Sequence, residues 1–359
     1  DFAVTRIPVI TARGTHFEVG CEIGKAAGTT IREMHAQTRA AYGTRWPKLL
    51  RDSLPFLEAT EQYFPHVVQE LRGASQGADV PFGDLFLMSI EELLYEEVRG
   101  EDSIDSQFSG SEQSKGCSDL AAAPPATADG NVWLAHNNDL GPRSRDDLFV
   151  TRVQADGEPE IMAVTVGGIF ISIGFNSAGL SLTGDQLYAN DSRVGVPRLL
   201  IVRDILAQTT FEDALTSALH PARASSYNNI LASEDGRIAN VEGSATDCDV
   251  MWAEGGTVFH TNHYLSDRMK KYEAAGHVVD SSSTRCSRAG YYAAHYHGSI
   301  DGEICRRFLQ DHVFAPWSVC RHSGESVTVF SAIINLNQRR MWLARGNPCE
   351  NDYSSYSLV

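Results

Sequence analysis

No run of this chain approaches the roughly 20 consecutive apolar residues that a membrane-spanning helix needs, so no membrane partner is expected. Positive charge is scarce as well. Lysine and arginine number 30 against 46 aspartates and glutamates in 359 residues, a net charge of −16 with the acids scattered rather than gathered in a tail. Nucleic acid and anionic lipid are therefore poor partners. Cysteine is sparse: positions 21, 117, 248, 286, 305, 320 and 349 are an odd number of thiols spread over the whole length. Such spacing is no disulfide scaffold, and no pair has the C-x-x-C separation of a zinc site, so a reduced, intracellular, cytoplasmic protein without a metal is expected. Asp1 to Ile10 show no signal-peptide layout. Gly167, Gly168 and Gly174 do not form a G-x-G-x-x-G turn opening a helix, so no dinucleotide is expected; the expected cofactor set is none. Internal repeats are absent, and no linker separates two self-sufficient halves. Residues 1–359 read as one domain.

What is present is 42% hydrophobic residues, enough for a large core, arranged in two regimes. The first hundred residues read as helices. Thr15-His16-Phe17-Glu18 is a capping box, followed at helical spacing by Val19, Ile23, Ala26, Ile31 and Met34. Pro65 to Arg72 and Asp84 to Val98 predict two more helices, the second with Leu85, Met88, Leu93 and Leu94 as its buried face. After Cys117 the pattern turns to strands at Glu160 to Val166, Ile169 to Phe175 and Gly179 to Thr183. A helix pair opens at Pro197 and again at Thr210 and Asp213, and residues 227–264 predict a four-strand meander. Helices at Thr284 to His295 and Asp301 to His312 precede strands at Ser326 to Asn335 and Arg340 to Ala344. Antiparallel sheets covered by helices, an α+β class, satisfy this order.

Gly116-Cys117-Ser118 stands where a soft segment meets a β-pattern. Residues 101–115 hold five serines and only two large apolar residues, Ile104 and Phe108, so the segment has nothing to bury. From Cys117 to Ala123 the chain is compact and apolar, Asp129-Gly130 supplies a turn, and Asn131 to His136 returns as a second strand. That hairpin brings Asn137, Asn138 and Asp139 back to Cys117. A cysteine exposed there at a new amino terminus would have its own α-amine as base; a buried small hydrophobe is the equal alternative on these grounds. Elsewhere, His260-Thr261-Asn262-His263 offers Asn262 as an oxyanion donor, although on these residues alone a hydrogen-bonded strand end is the better explanation. Cys320-Arg321-His322 is poor evidence for a dyad, because sequence neighbours on an extended chain point apart; Arg321 is the better candidate, as a fixed cation. Arg285 and Arg288, after a serine run, read as a solvated helix face with a serine cap.

These motifs coincide in order with a family. The chain resembles the isopenicillin N acyltransferases, the acyl-coenzyme A:6-aminopenicillanic acid acyltransferases, and their autoproteolytic relatives such as β-alanyl-dopamine hydrolase. The likeness runs through Arg13 to Gly20, Gly73 to Ala78, Gly116-Cys117-Ser118, Gly174 to Gly179, Gly195-Val196-Pro197, His260 to His263 and Ser318 to Arg321. It implies an N-terminal nucleophile hydrolase fold, a four-layer αββα sandwich. It also implies a precursor cut between Gly116 and Cys117 into an α-chain, 1–116, and a β-chain, 117–359, that stay together. Cys117, Asp139, Asn262 and Arg321 fall on catalytic positions of the family, and Asn176, Asp185 and Glu325 on positions near its substrate. Two of these differ from the penicillin enzymes, which carry an arginine where Glu325 stands and an asparagine near Gly184-Asp185-Gln186. The expected function is a self-processing cysteine amidohydrolase acting on a small acyl or amide substrate through a thioester. The alternatives are acyl-coenzyme A-dependent N-acyl transfer and an inactive binding protein of the same fold; oligomeric state is left open.

Overall fold

Helix α1 (His16–Ala26) starts at the expected capping box: the Thr15 hydroxyl accepts from the Glu18 N–H at 3.3 Å and the Glu18 carboxylate accepts from the Thr15 N–H at 2.8 Å. The apolar spacing through Met34 suggests one helix, but the chain breaks at Ala27 and restarts as α2 (Gly28–Tyr42). Helices α3 (Trp46–Asp52), α4 (Leu54–Tyr63), α5 (Pro65–Ala78) and α6 (Phe82–Met88) follow. The computed structural model describes residues 6–94, 116–275, 279–324 and 326–358. The end of the helix expected to Val98, the soft segment 101–115 and Glu325 lie outside them. Within the described part, α6 stops at Met88 and a further helical turn covers 91–94.

Two of the family stretches are packing devices. Gly20 and Gly24 on α1 face Gly73 and Gly77 on α5, each pair one turn apart, so the two backbones touch. A Cβ on Gly20 would lie 1.9 Å from the Glu70 carbonyl oxygen, and one on Gly73 would lie 2.0 Å from that of Phe17. Gly20→Ala should therefore lower the unfolding free energy by about 3 kcal/mol, the upper part of what overpacking costs. Urea denaturation reads this as a shifted midpoint at constant slope. A variant as stable as the parent would mean that the helices part without loss.

Fourteen strands among the described residues form two sheets. The larger runs β1 (Val9–Gly14), β4 (Leu148–Ala155), β5 (Ile161–Val166), β6 (Phe170–Asn176), β7 (Leu180–Asp185), β8 (Tyr227–Ser233), β9 (Ile238–Gly243), β10 (Cys248–Trp252). Only its β1–β4 pair is parallel. The smaller runs β11 (Thr257–His260), β2 (Gly116–Ala122), β3 (Trp133–Leu140), β12 (Val327–Asn335), β13 (Arg340–Arg345), β14 (Ser354–Ser357), all antiparallel. Val150, Met162 and Ile173 of the first sheet pack on Leu134, Ala332 and Ile334 of the second. Residues of α1, α5, α7 (Arg198–Ala207) and α8 (Phe211–Ala218) cover the outer face of the larger sheet, and those of α9 (Asp280–His295) and α10 (Gly302–Leu309) cover the smaller. The expected four-layer αββα order is present. The meander is a correction: β8, β9 and β10 pair in sequence, but β11 crosses to the other sheet, with His260 opposite Asp119. Strands β1, β4 and β14 were not expected. No helix among the described residues is long and apolar enough to cross a membrane.

Candidate active site

The β2–β3 hairpin sets the site by register, with Gly116 opposite Asp139, Cys117 opposite Asn138 and Asp119 opposite His136. Side chains alternate across a strand, and Ala121 and Leu134 lie between the sheets while Leu120, Ala122 and Ala135 face α9 and α10. Cys117, Asp119, His136 and Asn138 therefore face inward, and Asp139 faces the helices. Thiol and carboxylate share a sheet end, on opposite faces.

Cys117 forms part of the wall of a cavity of about 500 Å³ whose apolar lining includes Met34, Leu140, Val166, Phe170 and Ile171. The Asn138 amide approaches the thiol sulfur at 3.6 Å. Burial pushes the thiol pKa up, and the neighbouring His136 opposes it. His136 is itself buried, which disfavours its charge, yet the Asp119 carboxylate at 3.0 Å from Nδ1 overrides burial, so its pKa stands well above the ordinary value. Nε2 of His136 has no hydrogen-bond partner and remains available on the thiol's side of the sheet.

The backbone of Cys117 is gripped from the helical side. Its N–H donates to Asn262 Oδ1 at 2.8 Å, and its carbonyl accepts from Arg285 Nη1. The same guanidinium donates to Ser118 Oγ at 3.0 Å and to Asn262 Oδ1 at 2.8 Å. Both partners of Oδ1 can only donate, which fixes the Asn262 amide; its nitrogen donates to the Gln186 carbonyl at 3.0 Å. Asp139 is fully buried. Its Oδ1 accepts from Thr328 Oγ1 at 2.8 Å, and that oxygen accepts from the Arg321 N–H at 3.0 Å. A bulge in β12 just after Thr328 accompanies this contact. Burial raises the pKa of Asp139 against the pull of Arg321 and Arg285, and its Oδ2 has no hydrogen-bond partner.

Gly116 lies inside this ring of charge. A Cβ there would stand 3.0 Å from Asp139 Oδ2, 3.2 Å from Arg321 Nη1 and 3.3 Å from Arg285 Nη2. Gly116→Ala should slow any cleavage at the Gly116–Cys117 bond about 10-fold or more, since small displacements at reacting atoms carry large rate penalties. The processing half-life in translation reactions measures this, and a parent-like rate would show that the ring yields freely.

Cys117, Asp139, Asn262 and Arg321 are thus brought together around one peptide bond. The family's substrate positions fare differently. Asn176 is buried and spends its amide on the Leu206 and Gln208 carbonyls and the Leu180 N–H, and it does not line the cavity. Asp185 is also outside the lining; it bonds His260 Nδ1 at 3.2 Å, while Glu242 holds His260 Nε2 at 2.7 Å. Burial disfavours charge on both partners and raises Asp185 above the ordinary carboxylate range, whereas the two carboxylates lift His260 above its ordinary value. The reading of Arg285 as solvated is corrected: it is 2% exposed and belongs to the site. Ser282, Arg285, Cys286, Ala289 and Tyr292 form a buried stripe at helical spacing, and that stripe is the signal that would have found it. Asp119 and His136 were also missed, because a motif ending at Ser118 does not reveal a register; Asn138 was expected near Cys117 and stands opposite it.

A family model described as acyl-coenzyme A:6-aminopenicillanic acid acyl-transferase matches residues 126–350. The chain belongs to the acyl-coenzyme A:6-aminopenicillanic acid acyl-transferase family. The match contains Asp139, Asn262, Arg285 and Arg321 and starts after Cys117. Among family-related proteins, the chain is 25% identical to a beta-alanyl-dopamine/carcinine hydrolase of Drosophila melanogaster, over 96% of this chain and 94% of that one. It is 23% identical to the 40 kDa form of an acyl-coenzyme A:6-aminopenicillanic-acid-acyltransferase of Emericella nidulans, over 91% of this chain and 88% of the relative. Among solved structures, a variant of the conjugated bile acid hydrolase of Clostridium perfringens aligns with a TM-score of 0.48 at 13% identity, covering 68% of this chain and 97% of that one.

Proposed function

We propose that this acyl-transferase family member is a self-processing cysteine amidohydrolase that frees Cys117 by cleaving its own Gly116–Cys117 bond and then hydrolyses a small amide through a thioester. The observation that carries the reading is the position of Cys117, with its thiol on an apolar cavity and its backbone nitrogen held by Asn262. In the uncleaved chain a cationic His136 favours the thiolate on the inner face. Attack on the Gly116 carbonyl forms the C–S bond and develops negative charge near two guanidiniums, Arg285 and Arg321, that border Gly116; collapse breaks the Gly116–Cys117 C–N bond, and the leaving nitrogen takes up the proton that the thiol released. Water then opens the thioester. The new α-ammonium inherits Asn262 Oδ1, and the unpartnered Oδ2 of Asp139 borders the space that Gly116 vacates.

In turnover the α-amine, with a pKa near 7.7 against about 8.5 for a thiol, takes the thiol proton and returns it to the leaving amine. The second proton of the Asn262 amide nitrogen serves the oxyanion. Apolar walls suit one half of the substrate, and the Arg198–Glu91 pair in the same lining suits a charged group on the other. The fly relative's name supports amide hydrolysis, and the fungal relative's name supports acyl transfer as the second reading. Asp185 does not weigh against transfer, because it faces His260 rather than the cavity. The test incubates purified, processed protein with β-alanyl amines, N-acyl amino acids and phenylacetyl amides, with and without an amine acceptor. Free acid as the main product supports hydrolysis, acceptor-bound acyl group supports transfer, and no turnover of any amide overturns both.

A further inference from the structure

Outside the site just described, four side chains from three segments meet: His312 just after α10, Cys320 and His322 before β12, and Cys349 after β13. Nε2 of His322 lies 3.0 Å from Nε2 of His312, 3.5 Å from Sγ of Cys320 and 3.1 Å from Sγ of Cys349, and the two sulfurs are 3.7 Å apart. All four donor atoms fall within 4.8 Å of one another. A tetrahedral zinc ion with bonds of about 2.3 Å to sulfur and about 2.0 Å to nitrogen places its donors roughly 3.3 to 3.8 Å apart. The four separations above, 3.0 to 3.7 Å, lie within a few tenths of an ångström of that spacing, the other pairs stay within 4.8 Å, and two sulfurs with two imidazoles are a zinc donor set. We infer that Cys320, Cys349, His312 and His322 form a structural zinc site, closed by four protein ligands.

The surroundings are those of a metal site. Nδ1 of His322 faces the Glu350 carboxylate at 3.4 Å, an arrangement that puts the ring proton on Nδ1 and the Nε2 lone pair toward the other three donors. The Asn347 amide donates to Sγ of Cys320 at 3.5 Å, as amides do to metal-bound thiolates. Soft sulfur with imidazole in a closed four-donor set selects zinc over magnesium or calcium. On binding, each thiol gives its proton to solvent, so the ion's two charges are balanced by two thiolates and nothing is oxidised. His312, His322 and Cys349 are exposed, so the ion has a way in. Residues 320–322 contain Arg321, whose carbonyl accepts from the same Asn347 amide at 2.6 Å. The ion thereby ties the segment before β12 that carries Arg321 to the loop after β13.

This inference does not depend on the chemistry proposed for Cys117. Its test strips full-length protein with a chelator under reducing conditions, reloads it with one equivalent of zinc, removes free ion by gel filtration and counts metal by mass spectrometry. About one zinc per chain is expected, with affinity at least about 10-fold lower in Cys349→Ser and in His312→Ala. Cobalt in place of zinc should give the visible bands of a tetrahedral thiolate site in the parent, lost in Cys349→Ser while far-ultraviolet circular dichroism stays unchanged. Uptake of less than a tenth of an equivalent by the parent would overturn the inference. So would uptake undiminished in both variants, or a Cys320–Cys349 disulfide in zinc-exposed protein.

Discussion

Cys117→Ala should remain a single uncleaved chain and lose amide hydrolysis by at least about 10⁴-fold, the scale on which removing a covalent nucleophile acts. The thiol borders a cavity, so its loss removes little packing and costs about 1 kcal/mol of stability. Loss of activity is then chemistry rather than unfolding, which circular dichroism verifies. Cys117→Ser keeps the shape but replaces a thiol by a hydroxyl that His136 cannot ionise near neutral pH, so cleavage should be slow at best. Terminal sequencing of the parent should find one new amino terminus, at Cys117. A cut elsewhere, or cleavage undiminished in Cys117→Ala, would remove the nucleophile assignment and the function with it.

Much of this was legible in the chain, and what was not has physical causes. The hairpin from Cys117 through Asp129-Gly130 was readable because turn chemistry and alternation are local signals, and it returned Asp139 to the Cys117 end of the sheet as expected, where the register sets it opposite Gly116. Which face Asp139 takes was not readable, since a one-residue slip of register exchanges the faces. Strand β1 escaped notice because its partner β4 lies far away in sequence and pairs in parallel, without a turn to announce it. The glycines at 20, 73 and 77 were visible in family motifs, but their meaning as a helix crossing, which Gly24 shares, needed the partner helix. The zinc ligands show the same limit. Only Cys320 and His322 are near neighbours, and the expectation that they point apart is corrected, since residues two apart share a face and their donor atoms meet at 3.5 Å; a search for paired cysteines passes over a site assembled from three segments.

Arg285 is where sequence and structure differ most in consequence, and Arg285→Met should abolish self-cleavage, slowing it by at least about 100-fold. The guanidinium holds the Cys117 carbonyl, Ser118 and Asn262 together and lies beside Asp139. A flat fork is needed for three such partners, so Arg285→Lys, which keeps the charge at a point, should recover only part of the rate. Removing the cation also leaves Asp139 buried with Arg321 as its remaining guanidinium, a loss of about 3 kcal/mol near neutral pH. The pH dependence has a definite sign. Asp139 already has a folded pKa above its unfolded one, because burial outweighs its partners, and loss of Arg285 raises it further. A carboxyl group shifted upward favours the folded state below its unfolded pKa and loses that contribution as pH rises through the folded value. The stability deficit of Arg285→Met relative to the parent should thus be small in acid and grow toward neutrality. Adding Asp139→Asn should restore stability and flatten that dependence without restoring cleavage, because the oxyanion beside Gly116 still lacks its donor. Denaturation from pH 4 to 8 and intact-mass kinetics separate the two effects. Parent-like cleavage in Arg285→Met would mean that Arg321 alone supports the bond-breaking step.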